Sequence, residues 1–320
     1  MQHQNQSRPM VEAGILAGIA IIFAFISAYL PLVGAFIHLI WPVPIILLGV
    51  RHGVKWSVMA TVVAGILIAI LLHPLHAVSV VVGFGLTGVV LGHGLRKEYA
   101  PAKTLLWGSA AALVSTAAVI AIGMFVIGTN PLAIQQEAMT KSVEGAIDFY
   151  RTMGMKEEDL KQIGATMSSA MDMMKIILPA GFAMAAVVTA YLNLFVAKRI
   201  LKKMGHYIRP FPPFKEWQMP RLSLYAFIVA VLAMYWGHSR EWTWLFHFGV
   251  NLQMIAVVFL LIQGLAVFYY LADKYKLSRL IRGIILFLVF TNGIALQIVL
   301  FAGAVDMAMN YRTRNMSPND

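Results

Sequence analysis

Long apolar runs, each bounded by charge, proline or glycine, predict helices near residues 10 to 30, 36 to 50, 54 to 72, 77 to 95, 104 to 127, 174 to 200, 222 to 238, 245 to 271 and 280 to 305. The second run is the odd one. At 1.5 Å per helical residue, its twelve residues from Leu39 to Val50 reach about 18 Å into a hydrocarbon core about 30 Å thick. Pro42 and Pro44 also remove two backbone donors and disfavour helix just before themselves. Irregular backbone at membrane depth needs protein or a cavity around it. The segment is therefore expected to wall an internal pocket, with His38 and Trp41 toward the outer side; an ordinary proline-kinked short helix is the alternative.

Two polar stretches interrupt this pattern. Residues 128–173 open on Asn130-Pro131, a cap followed by a proline at the first helical position. Ile134, Met139, Val143, Ile147 and Tyr150 form a helical stripe, Gly154 breaks it, and Leu160, Ile163, Met167 and Met171 resume it. Two amphipathic helices over the outer mouth of a bundle are expected. The stretch 198–221, KRILKKMGHYIRPFPPFKEWQMPR, is basic, aromatic and proline-rich, which suits an extended segment on the inner headgroup layer. The chain is thus divided into a six-helix part over 1–203, a linker over 204–221 and a three-helix part over 222–320.

Composition narrows the class. Hydrophobic residues make up 60% of the chain and charged residues only 12%, half the share in a soluble domain. This is an all-α, polytopic integral membrane bundle of about nine spans. There is no cysteine, which removes disulfides, thiolate metal sites and cysteine nucleophiles together. With the N-terminus inside, the inner connections hold 17 of the 25 Lys and Arg residues against four of the 14 acids, a net +13, and the other side nets −2. That asymmetry obeys the positive-inside rule and places the C-terminus outside. The overall charge of +11 is thereby accounted for by topology and anionic membrane lipid, with no nucleic acid partner.

Side chains that carry chemistry are few. Ala13, Ala17, Ala20 and Ala24 line one face of the first helix; such faces let backbones approach closely, either inside the bundle or against a separate membrane partner. His73 and His76 flank Pro74 at the outer end of the third helix, and His38 comes from the second. Imidazoles suit transition metals, but a loop spacing does not make them converge, so they are interfacial polar tips and no metal site is assigned. Asn193, Asn251, Gln253, Gln263, Asn292 and Gln297 are amides within spans, suited to bonding neighbouring helices or to lining a polar path. No P-loop, HExxH or Gly-x-Ser-x-Gly occurs, so neither an enzyme nor a cofactor is expected, and powered transport would need separate ATPases.

The alanine-rich first helix, the turn at Pro31 to Gly34 and PVPIILLGVRHGVKWSVMATVVAGIL over 42–67 resemble the N-terminal half of energy-coupling-factor S-components. The whole chain resembles the YybS-like family of bacterial membrane proteins. The first resemblance implies a six-helix bundle over residues 10–203 that binds a small molecule near the outer surface of the plasma membrane. His38, Trp41, His73 and His76 are the candidate ligand contacts, and Ala13, Ala17, Ala20 and Ala24 the face that docks a transmembrane coupling subunit with separate ATPases. The long insertion and the three extra helices depart from that pattern. The three extra helices favour the alternative, a non-transporting interaction or scaffold protein that recruits a partner through its basic cytoplasmic loop.

Overall fold

The structure is a computed structural model that describes residues 4–126, 128 and 130–312. Every regular element among them is helical. Among the described residues, seven helical stretches, one of them the continuous run Pro74–Arg96, are long and apolar enough to cross a membrane alone. The described residues fall into two compact units, one of residues up to 169 with 182–211, the other of 170–181 with residues from 212 onward. The division at 211/212 lies a few residues beyond the boundary expected at 203.

The first unit begins with α1 (Gln4–Tyr29), followed by the short α2 (Pro31–Leu39) and α3 (Val43–His52). Together α2 and α3 run antiparallel to α1 over its length. A Cβ on Gly34 would stand 2.8 Å from the Ser27 carbonyl oxygen, Trp41 meets Ala20, and His52 meets Glu12. The short apolar run thus belongs to a broken antiparallel partner of α1, with α3 as its second half. Helix α3 is the most enclosed element of the unit, with Val43 through Gly49 all buried. Close approach explains how: a Cβ on Gly92 would stand 3.0 Å from the Ile46 carbonyl oxygen, so α3 packs backbone to backbone on α6 (Leu86–Arg96).

The break between α2 and α3 is closed by side chains. Asn193 donates from Nδ2 to the Leu39 carbonyl at 2.8 Å, and Ser57 Oγ donates to the Ile45 carbonyl at 2.9 Å. The first satisfies a backbone acceptor at the break, where no water is at hand, and the second ties α4 to α3.

Helix α4 (Val54–Leu71), α5 (Pro74–Val80), a π turn at Val81–Gly85, α6 and α7 (Pro101–Phe125) complete the packed part. Asn130 caps α8 (Pro131–Thr152) through Oδ1, which accepts from Leu132 N at 3.0 Å and Ala133 N at 3.3 Å, as its cap-proline pair predicts. Gly154, at φ +84°, makes the expected break. Among its described residues α8 buries none, whereas Leu160, in the continuation of the stripe, is buried.

Helix α9 (Glu157–Lys203) runs 47 residues without a stop, joining what the sequence divides into an amphipathic helix and a span. It contributes to both units. Near Pro179, which cannot donate, Asn251 from the second unit's α11 (Thr243–Lys274) enters the ladder of residues 170–181. Its Oδ1 accepts from Ala180 N at 2.9 Å and its Nδ2 donates to Ile176 O at 2.6 Å, bridging two groups that a regular helix joins directly.

The second unit adds α10 (Leu222–Ser239), α12 (Arg279–Thr291) and α13 (Gly293–Met309). Helices α12 and α13 meet at 104°, so the last predicted span is not a straight one. Asn292 caps α13, its Oδ1 accepting from Ile294 N at 2.9 Å and Ala295 N at 3.1 Å. Gly264 and Gly303 let α13 cross α11 in backbone contact.

Candidate functional site

Of the residues that the sequence offers as ligand contacts, Trp41, His73 and His76 have described side chains. Trp41 is fully buried among Ala17, Ala20, Ala24, Ile45 and Leu48, and its Nε1 donates to the Ala20 carbonyl at 2.8 Å. It is a core residue at mid-helix depth, with its one donor already used. His73 is exposed and caps α5, its Nδ1 accepting from Leu75 N at 3.2 Å. His76 is half-buried, and its Nε2 has no hydrogen-bond partner among the described residues. The side chain of His38 lies outside the described residues. No group of three or more potential metal-ligating side chains occurs among those described.

The alanine face is corrected as well. Ala13, Ala17, Ala20 and Ala24 are covered by the protein's own helices, clustered with Trp41, Ile45, Leu48, Ala60, Ala64 and Ile68. That surface is internal packing and is closed to a docking subunit. Gly14 and Gly18, on the open side of α1, have nothing near a would-be Cβ.

Polar chemistry gathers instead in the second unit, around Asp306, Arg312 and Gln263, all buried. Helix α13 ends where Asn310 takes a left-handed conformation, φ 51° and ψ 42°, which turns the chain back. This brings Arg312 onto Asp306: Arg312 Nε donates to Oδ2 at 2.9 Å and the Arg312 backbone N–H to Oδ1 at 3.2 Å. Gln263 Nε2 donates to the same Oδ2 at 2.6 Å, while its Oε1 accepts from Met219 N at 2.7 Å. The Arg312 fork then reaches the carbonyls of Lys215 at 2.5 Å and Trp217 at 2.8 Å. A buried charge pair is tolerable only when its remaining donors and acceptors are also met, and here they are.

The result is a latch. Residues 215–219, which hold only a single turn of 3-10 helix at Phe214–Glu216, are tied to α11 and α13 by side chains. Lys215 Nζ pairs with Asp273 at 3.0 Å, and Arg282 pairs with the same carboxylate at 2.7 Å. A cleft of about 240 Å³ adjoins the latch, lined by Gln218, Arg221, Gln263, Asp306, Asn310 and Arg312. The end of α13 therefore lies beside residues 215–221, where α10 begins, whereas an odd count of straight spans puts it at the opposite end. Asp306 and Gln263 are each conspicuous in the sequence as polar residues in apolar runs; Arg312, beyond the last run, carries no such signal.

A second ionic group sits in the first unit. Glu12 Oε2 meets Arg51 Nη1 at 2.9 Å and His52 Nε2 at 2.6 Å, with Arg8 at 3.6 Å from Oε1. The start of α1 and the end of α3 are thus one cationic end with a single shared acid. Arg96 joins them, its guanidinium over Gly53, where a Cβ would stand 2.7 Å from Nη1. These are the basic residues that the charge alternation assigns to one side.

Among known proteins, the chain is similar to Uncharacterized protein YybS of Bacillus subtilis (strain 168), with 22% identity over 317 residues, covering 97% of this chain and 99% of that protein. No solved structure matches it. Residues 18–307, from the middle of α1 to the end of the latch helix, match the family described as Predicted membrane protein (DUF2232), and the chain belongs to that family.

Proposed function

We propose that this protein is a non-enzymatic, multi-pass scaffold of the bacterial plasma membrane, presenting a fixed cationic surface on its cytoplasmic side to an acidic partner. The observation that carries the reading is the latch. A proline-rich segment on a membrane surface loses little by staying loose, yet residues 215–219 are held by Gln263, Arg312 and the Lys215–Asp273 pair. The Lys215 and Trp217 carbonyls and the Met219 N–H face the unit, and Pro212, Pro213, Gln218 and Arg221 remain exposed. Exposed Lys274, Lys276 and Arg279 belong to the end of α11 and the start of α12, the elements that Asp273 and Arg282 tie to Lys215. Side chains held in advance lower the ordering cost of association.

The test is a photo-crosslinking amino acid placed at Gln218 in cells, with Trp242 at the far end of α10 as the control position. One adduct of defined mass is expected at Gln218, absent at Trp242 and lost when Arg221 and Lys276 are both changed to Glu. No adduct at Gln218 under any growth condition sinks the scaffold reading.

One observation favours a second reading, small-molecule binding by a transporter component that would need a transmembrane coupling subunit and separate ATPases. It is the polar cleft beside the latch, which offers Gln218, Arg221 and Asn310 to a small polar ligand. Native mass spectrometry of the purified chain separates the two: a retained metabolite, lost on Arg221→Ala, supports binding there.

A further inference from the structure

The first unit carries a groove of about 500 Å³ whose walls are apolar and whose end is polar, lined by Val54, Val89 and Val90 on one hand and by His93, Tyr99, Lys103 and Trp107 on the other. Val54 opens α4, Val89 and Val90 lie on α6, and Lys103 and Trp107 stand one turn apart on α7. Lys103 Nζ lies 4.4 Å from the centre of the Tyr99 ring, and the His93 ring meets the edge of Tyr99. Lys103 is exposed and forms no ion pair among the described residues, although Glu98 is also exposed nearby. Trp107 is 57% exposed on the face of an otherwise apolar membrane helix.

We infer that this groove seats one anionic phospholipid, its phosphate on Lys103 and its chains along Val54, Val89 and Val90. Several features select that occupant. The groove's lining is mostly apolar, as an acyl chain requires and a soluble polar metabolite does not. Its charged end belongs to the cluster of basic residues, with the Arg96 guanidinium beside Gly53, the residue before Val54. Tryptophan and tyrosine mark the depth of the headgroup layer, and the Tyr99 ring beneath Lys103 Nζ sets the cation at that depth. Basic pockets between membrane helices on the cytoplasmic side hold anionic headgroups by the same chemistry.

The test uses the full chain, purified in detergent, stripped of lipid and titrated with phosphatidylglycerol or phosphatidylcholine under native mass spectrometry. The first phosphatidylglycerol should bind about fivefold more tightly than the first phosphatidylcholine, the difference that one lysine makes at an anionic surface. Lys103→Gln should erase that preference, while Lys103→Arg and the exposed control Lys97→Gln should keep it. Trp107→Ala, which strips one wall, should weaken both lipids together. Equal affinity for the two lipids in the unaltered chain, a preference that survives Lys103→Gln, or unchanged binding in Trp107→Ala each overturns the assignment. Glycerol phosphate, the headgroup without chains, should leave the bound lipid in place; displacement would make a free phosphate the occupant and overturn the lipid seat.

Discussion

Trp41 Nε1 and the Ala20 carbonyl oxygen lie 2.8 Å apart, which fastens the broken segment to the middle of α1 at the point where its own helical ladder stops. Trp41→Phe should therefore lower stability by about 1 kcal/mol, the worth of one hydrogen bond with packing largely retained. Trp41→Ala should cost about 3–5 kcal/mol, because a fully enclosed ring leaves a cavity. Thermal unfolding in mild detergent reads both; a Trp41→Ala protein as stable as the parent would mean that the ring is not core.

The alanine face predicts an asymmetry around α1. Ala20→Leu, at a position with no exposed surface, should force α1 away from its neighbours and cost about 1–3 kcal/mol. Gly14→Ala, with nothing within 4 Å of the added carbon, should be neutral or stabilising by up to about 1 kcal/mol. If Ala20→Leu left folding intact and instead removed a co-purifying subunit, the face would be a docking surface after all.

The latch predicts a change in protease sensitivity. Arg312→Ala leaves the buried Asp306 carboxylate without its cation, which costs about 3–5 kcal/mol when such a pair is cut on one side. Part of that loss should appear locally, as faster tryptic cleavage at Lys215 and Arg221. Asp306→Asn combined with Arg312→Ala should lose less than the sum of the two single changes, since the residues share one network. Unaltered cleavage in Arg312→Ala would show that residues 215–219 are held by something else.

The position of α13 predicts which side of the membrane its end occupies. Because the chain has no cysteine, single substitutions report cleanly. Gln218→Cys and Tyr311→Cys should react with a membrane-impermeant maleimide from the same side, and Ser239→Cys, at the far end of α10, from the other. Labelling of Tyr311→Cys together with Ser239→Cys would restore a straight final span and refute the latch.

Much of the helical order is legible in the sequence, and the particular failures have physical causes. The spans of α4, α7, α10 and α11 follow from apolar runs bounded by charge, proline or glycine. The broken second run is legible as a break, since Pro42 and Pro44 announce it. That its two halves line α1 is not, because Gly34, Trp41 and His52 find Ser27, Ala20 and Glu12 only in space. No glycine or proline separates Met171 from Lys175, and Asp172 pairs with Lys175 at 2.9 Å, so α9 continues where a composition change suggests two helices. The bend at Asn292-Gly293 had a signal, a turn dipeptide within an apolar run, which the run's hydrophobicity outweighed. Asn193, Asn251 and Gln263 are each used to bond backbone or a buried carboxylate, which accounts for their presence in spans without a polar path. Whether the histidines converge is not legible, because polarity at a helix end is common and convergence is not encoded by spacing.

The latch also sets a clock. Lys215 and Trp217 are made 97 and 95 residues before the arginine that clamps their carbonyls. At a synthesis rate of about 5–20 residues per second, the segment waits roughly 5–20 s, while α10 to α13 enter the membrane, before its anchor exists. Throughout that interval, the backbone of residues 215–217 is open to proteases or premature binding, and the arrival of Arg312 completes its clamp. The surface around residues 215–219 is thus completed late in synthesis, and ribosome pausing between residues 220 and 312 would lengthen the vulnerable period without altering the finished fold.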